Sequence, residues 1–298
     1  MELRLLHHFT LFTSATMPGA HRKLIKDCWS IDVPRLAFGY KPLLHAIFAI
    51  SALHLSKANL DEAGLPDIHC NFLEQALREH RLCIGGITTQ TADAVCFTSI
   101  LLQIDVFATL QNRHVVSYEQ VSEWMRLVRG SVAVFNAALD IARHNTHPPN
   151  IWCIIDTFPM PLGTNSDAGS FSFLLPTLPD DEDDETVLEA YRGAVAHINA
   201  TWLAMEAKEH PQISCRRLMV FPLFATAEFI DLLEKRRPRA LVVLAYFLAL
   251  SEPLRGIWWI GDAAHKYIMT IQPILPVHWE GLMSWPVEMT ISRGTHQT

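Results

Sequence analysis

Apolar positions recur every three or four residues along most of the chain, and nowhere do they alternate over a strand length. After Pro42 they fall at Leu44, Ile47, Phe48 and Leu55, with Leu43, Ile50 and His54 forming a second row. His45, Ala49, Ala52 and Ser56 make a narrow third face over which another helix could pass closely. A helix apolar over most of its circumference belongs inside a domain, so residues 33–57 are expected to hold the core helix. Pro34 and Pro42 suit first turns, where a missing N–H costs nothing.

The same periodicity predicts helices over residues 2–13 (Leu3, Leu6, Phe9 and Thr13 inward) and 66–84. In the second, Ile68, Phe72, Leu73, Ala76, Leu77 and Leu82 are expected inward. Further helices are predicted over 94–110, 118–139, 186–208, 216–235, 239–250 and 257–275. The expected fold is all-α: one irregular helical domain of about ten helices spanning residues 1–298. A long loop with an acidic run, residues 143–185, is expected between two helical halves.

That connection carries prolines, glycines and scattered Phe158, Phe171 and Phe173, and ends in six consecutive acids, Asp180 to Glu185. A solvated run that favours the N-terminus of the next helix is the plainer reading. Two others stay open. Bulky apolar residues leading into acids occur in disordered activation segments. The Asp-Asp-x-x-Asp spacing also matches the carboxylates with which all-α terpene synthases hold magnesium and a diphosphate. Against that enzyme reading, the acids follow Pro176 and Pro179, and of the second metal motif only Asn199 and Glu206 fit, with Leu203 between them. No nucleophile elbow, metalloprotease motif, phosphate loop or dinucleotide-binding pattern is present, so no catalytic residue and no cofactor is assigned.

Composition narrows the picture. The chain has 298 residues, 50% of them hydrophobic and 18% charged, enough to bury a substantial core. No apolar run reaches the roughly 20 residues a spanning helix needs, and the N-terminus lacks a secretory cleavage pattern. The expectation is a soluble protein of the nucleus or cytoplasm, without a membrane span. Six cysteines are scattered without a closely spaced pair, which predicts buried free thiols and no metal site. His7-His8, His69, and His80 with Cys83 each lack the spacing for a full ligand set. A net charge of −7 argues against direct nucleic-acid binding by these residues. Asn199-Ala200-Thr201 fits the glycosylation pattern but falls mid-helix, and is discounted.

Leu5-Leu6-His7-His8-Phe9-Thr10, Trp29, Val33-Pro34 with Ala37-Phe38, Leu43-Leu44-His45-Ala46 and Ser51-Ala52-Leu53-His54-Leu55 occur in that order. Ala240 to Ala245, Trp258-Trp259, Trp279 and Trp285-Pro286 follow. This series resembles the C-terminal regulatory domain of fungal binuclear zinc-cluster transcription factors of the sterol uptake control type. Two departures stand out: Gly261-Asp262 replaces the family's Gly-Trp pair, and no six-cysteine cluster is present in this sequence. The resemblance implies a transcriptional regulator, or a regulator-like protein, whose effector domain answers to a sterol or another apolar small molecule. It implies dimerisation with itself or with a zinc-cluster regulator. A small-molecule-binding protein or terpenoid-type enzyme on the same scaffold is the alternative.

Two candidate sites follow. Trp258 and Trp259, adjacent on an expected helix, diverge by about 100° and cannot share one core layer. With Tyr246 and Phe247 they are expected to line an apolar ligand site, Tyr246 and His265 anchoring a hydroxyl. Lys235, Arg236, Arg237 and Arg239 form a basic run that is either a nuclear-entry signal or, preferred here, a complement to the preceding helix C-terminus.

Overall fold

The computed structural model describes residues 1–58, 62, 64–112, 116–143, 150–155, 169–175 and 184–291. Among these, every regular element is helical: fourteen α-helices, ten of eight residues or more, joined by short 3-10 and π turns. The all-α class read from the periodicity holds. The chain forms two compact units, Met1–Ala108 with Gly130–Phe158, and Thr109–Arg129 with Pro159–Thr298. Their division therefore does not follow chain order.

In the first unit, α1 (Glu2–His8) runs on through a π turn to Thr13. Its inward row is Leu5, Phe9 and Thr13; Phe9 and Thr13 are as expected, Leu6 is half-buried, and Leu3, 84% exposed, gives its place to Leu5. After α2 (Lys23–Asp27) and α3 (Val33–Ala37), α4 (Lys41–Ala58) is buried from Leu43 through Leu55 except at Leu44, His45 and His54. Next, α5 (Leu65–Cys83) packs along α4, with Phe72 set edge-on against Phe48 at 5.1 Å and 5.9 Å from the His45 ring. Its buried residues are Leu65, His69, Ala76 and His80, and Leu82 is exposed. Of the expected inward set Ala76 is buried and Ile68, Phe72, Leu73 and Leu77 are half-buried, so only Leu82 is corrected, and the two histidines join the inward face.

Those histidines have partners on α6 (Ala92–Thr109). His69 Nε2 lies 2.8 Å from Asp105 Oδ1, and His80 Nε2 lies 3.2 Å from Ser99 Oγ. By length and composition α6 could cross a membrane, yet 72% of it is buried and both its acids are bonded within the unit. It is a core helix. Asp93, near its start, accepts hydrogen bonds from the backbone N–H of Asn150 and Ile151 at 2.7 and 3.3 Å. It thereby satisfies the opening donors of a short helix, Ile151–Ile155.

The long α7 (Glu119–Ala142) gives its first half to the second unit and the rest to the first, and we number the 151–155 helix α8. Within the second unit, Val121, Trp124, Met125 and Val128 form the buried row of α7. Asp184 caps α9 (Glu185–Glu206), its Oδ1 accepting from Thr186 N–H at 2.9 Å. The helix expected over 216–235 is two helices, α10 (Pro211–Phe224) and α11 (Ala227–Glu234). Thr226 caps the second, accepting from Phe229 N–H at 3.2 Å, and ends the first in doing so.

Both α9 and α11 close with a residue in the left-handed region, Lys208 at φ 58° and Arg236 at φ 56°. The N–H groups of Arg236 and Arg237 bond to Leu233 and Leu232 carbonyls, the Schellman pattern, without the usual glycine. From Arg239 to Leu250, every residue of α12 (Pro238–Ala249) and its cap is buried. The last helices are α13 (Ala263–Ile271) and α14 (Ser284–Ile291). The helix expected from Ile257 thus begins six residues later. Gly261, at φ 59°, turns the backbone against Gln111, whose side chain a Cβ there would strike.

Candidate functional site

Because α12 is buried all round, its adjacent aromatics enter different surroundings. Phe247 stacks on Phe221 with centroids 4.0 Å apart and lies 6.2 Å from Trp124, nearly parallel to it. That side is closed core. Tyr246 enters a second cluster, stacked on Trp285 at 5.0 Å and meeting Phe171 edge-on at 5.1 Å. Phe173 lies 6.0 Å from Tyr246, and Trp202 stands perpendicular to Trp285 at 5.4 Å. Tyr246 and Phe171 are buried, Trp202 and Trp285 are half-buried, and Phe173 is 49% exposed. The cluster therefore runs from core to surface.

The Tyr246 hydroxyl donates to the Leu282 carbonyl at 3.0 Å, and burial pushes its pKa up to about 12. It stays a protonated donor at any ordinary pH.

The strap 169–175, which carries Phe171 and Phe173, is pinned at both ends by buried polar side chains. Asn199 Oδ1 accepts from Phe171 N–H at 2.8 Å, and Gly169 packs so tightly on that amide that a Cβ would overlap it. At the far end, Arg239 Nη1 donates to the Leu175 carbonyl at 2.6 Å, its guanidinium 5.1 Å above the Tyr191 ring. Such anchors fix a segment because a buried donor or acceptor left without its partner is costly.

The expected ligand-contacting residues do not form one group. Trp258 and Trp259 lie in the turn before α13, not on a helix, so the 100° argument does not apply to them. Trp259 is fully buried, while Trp258 is half-buried and its carbonyl accepts from Gln111 Nε2 at 3.1 Å. His265 is exposed, with its Nδ1 2.9 Å from the Thr290 hydroxyl. Of the expected set, Tyr246 sits where aromatic rings approach the surface. Phe171, Phe173, Trp202 and Trp285 were not assigned to a site. Only the two phenylalanines inside a polar connection marked it in the sequence.

The basic run is divided as well. Lys235 and Arg236 are exposed and Arg237 half-buried, with Arg236 3.2 Å from Glu119 in an ion pair. Arg239 is 1% exposed and holds the strap, so it is removed from any surface signal.

Asn199 likewise cannot serve as a metal ligand, being fully buried and bonded to Phe171; the acids at 180–183 lie outside the described residues. Residues 292–298 also lie outside them. Among the described residues, no three His, Cys, Asp or Glu side chains converge as a metal site would require. In the first unit, an open groove of about 480 Å³ is lined by Met1, Glu2, Leu3, Ile68, Asn71 and Phe72.

Residues 4–151 match the family described as the fungal specific transcription factor domain. A Zn(2)-C6 fungal-type transcription factor of Aspergillus fumigatus is 93% identical over 242 residues, covering 81% of this chain and 65% of that protein. Over residues 4–151 the chain carries this family's domain. A second Zn(2)-C6 fungal-type transcription factor, from Gibberella zeae, is 25% identical over 317 residues, 99% of this chain and 63% of that protein. Sterol uptake control protein 2 of Candida albicans is 30% identical over 141 residues, covering 46% of this chain and 19% of its own. The chain thus spans slightly less than two thirds of the first two relatives. The matched family is described as one of fungal transcription factors. This sets aside the terpenoid-type reading.

Proposed function

We propose that this regulatory domain senses an apolar small molecule, of the sterol class or close to it, at the Tyr246 cluster. The observation that carries the reading is the pinned strap. Phe171 fills a slot walled by Tyr246, Trp202 and Trp285, and a flat apolar ligand would replace Phe171 against the same rings. The Leu282 carbonyl and the Tyr246 hydroxyl supply the polar pair that would orient a ligand hydroxyl. The name of the Candida relative supports the sterol class, at its partial coverage of this chain.

On this reading the domain works in the nucleus, paired with a second copy or another zinc-cluster regulator, and leaves DNA contact to residues outside this segment. Surface residues Lys235, Arg236 and Arg237 are the part of the basic run open to an import receptor. The test is thermal unfolding with ergosterol or cholesterol delivered in cyclodextrin. A ligand at a hundred times its Kd adds about 2.7 kcal/mol to stability, so the melting temperature should rise measurably. Phe171→Ala, which empties the slot, should raise the shift further. A melting temperature unmoved by every sterol, in both proteins, overturns the proposal.

A further inference from the structure

In the first unit, two cysteines 125 positions apart in sequence converge on one backbone carbonyl. The buried Cys28 thiol donates to Asn150 O at 3.9 Å, and the Cys153 N–H donates to the same oxygen at 3.2 Å. Cys153 also acts electrostatically on the Cys28 thiol. Neither position is accidental to the packing: α2, which ends just before Cys28, packs against α8, which contains Cys153. The Asp93 carboxylate holds the start of α8 in place through Asn150 and Ile151 N–H. A separate position for Cys153 would require that cap to be broken.

We propose that Cys28 and Cys153 are a reversible dithiol–disulfide couple, oxidised by a hydroperoxide. The half-buried Cys153 meets the oxidant first. Its thiolate attacks one peroxide oxygen, the O–O bond breaks, and the leaving hydroxide takes up a proton as water. Cys153 is then a sulfenic acid. The Cys28 sulfur attacks that sulfur, the S–O bond breaks, and the thiol proton leaves with the hydroxide as a second water. Two thiols and one hydroperoxide thus give one disulfide and two waters (one water and one alcohol from an organic hydroperoxide).

Cys28 itself is poorly placed to meet the oxidant first. The adjacent Cys153, its burial, and the nearby Asp32 and Asp93 carboxylates all push its thiol pKa up. It remains protonated until a sulfenic acid forms beside it. Thioredoxin-type dithiol exchange would return the pair to thiols. The disulfide would close a loop of well over a hundred residues, which constrains the unfolded chain strongly.

The experiment treats the purified chain with hydrogen peroxide, alkylates the remaining thiols, and maps peptides without reduction. The expected result is a Cys28–Cys153 linked peptide that dithiothreitol removes. Oxidised protein should melt higher by about 5 °C or more, and Cys153→Ser should lose that rise. Replacing the more accessible Cys70 and Cys83 by Ser should leave the linked peptide unchanged. Accumulation of Cys153 sulfinic acid without the linked peptide overturns the proposal. So does a disulfide that joins either residue to another cysteine.

Discussion

The two units are built from the same kind of helix but fill their interiors differently. In the first, the core helices carry buried polar contacts: His69 with Asp105, His80 with Ser99, His54 with Thr13, and Asp93 with the start of α8. The second also has buried polar anchors, Asn199, Arg239 and His197, but it adds a continuous run of rings, from Trp124 through Phe247 and Phe221 to Phe229 and Tyr191. A polar interior is held by a few directional bonds, and changes state when a proton is added. A stacked aromatic interior depends on shape and area, and is indifferent to pH.

The largest test of that contrast is Phe247→Ala, which opens a cavity between Phe221 and Trp124. It should cost about 3–5 kcal/mol in urea unfolding, and the loss should be the same at pH 5 and pH 7. In the first unit, His69→Ala leaves the buried Asp105 carboxylate without its imidazole and should cost about 3 kcal/mol. His69→Gln, which can still donate, should restore part of it.

Acid should separate the units further. Burial lowers His54 and His80 in the first unit, and His197 in the second, to about 4, from an ordinary value of 6.5. Neutral in the fold and protonated when unfolded, each contributes stability that is complete above 6.5. That stability is lost as pH falls toward 4, roughly 3 kcal/mol apiece at most. Amide exchange at pH 7 and pH 4.5 should show more protection lost in α5 and α6 than in α12. Equal losses would break the comparison. The smallest effect is a gain: Lys208→Gly relieves a left-handed non-glycine residue and should add up to about 1 kcal/mol, read as a higher melting midpoint.

Helices apolar on every side, α4 and α12, were legible because no rotation of them changes the answer. Amphipathic α5 was read in part, with its most buried side missed. Its register turns on two histidines whose partners lie 36 and 19 residues away, outside any window of local pattern. The break between α10 and α11 was written in Thr226, a capping residue passed over inside an apolar stretch. The strap was harder still. Its anchors are 28 and 64 residues from the groups they hold, and Arg239 looked like one more charge in a basic run. Tyr246 was named from its apolar helix and the two tryptophans that follow it. The rings around it come from three other segments, and only the folded chain gathers them.

Asn199 carries one practical consequence. It opens an Asn-Ala-Thr acceptor sequence, yet in the folded chain its side chain is fully enclosed and committed to Phe171. Expression through a secretory route would expose that triplet to glycan transfer before α9 had formed. A sugar there would find no room beneath the strap, and the anchor itself would be gone. Yield in such a host would be limited by a covalent error made during synthesis, which Asn199→Gln could not repair without also altering the amide that holds Phe171. Cytosolic production avoids the conflict altogether.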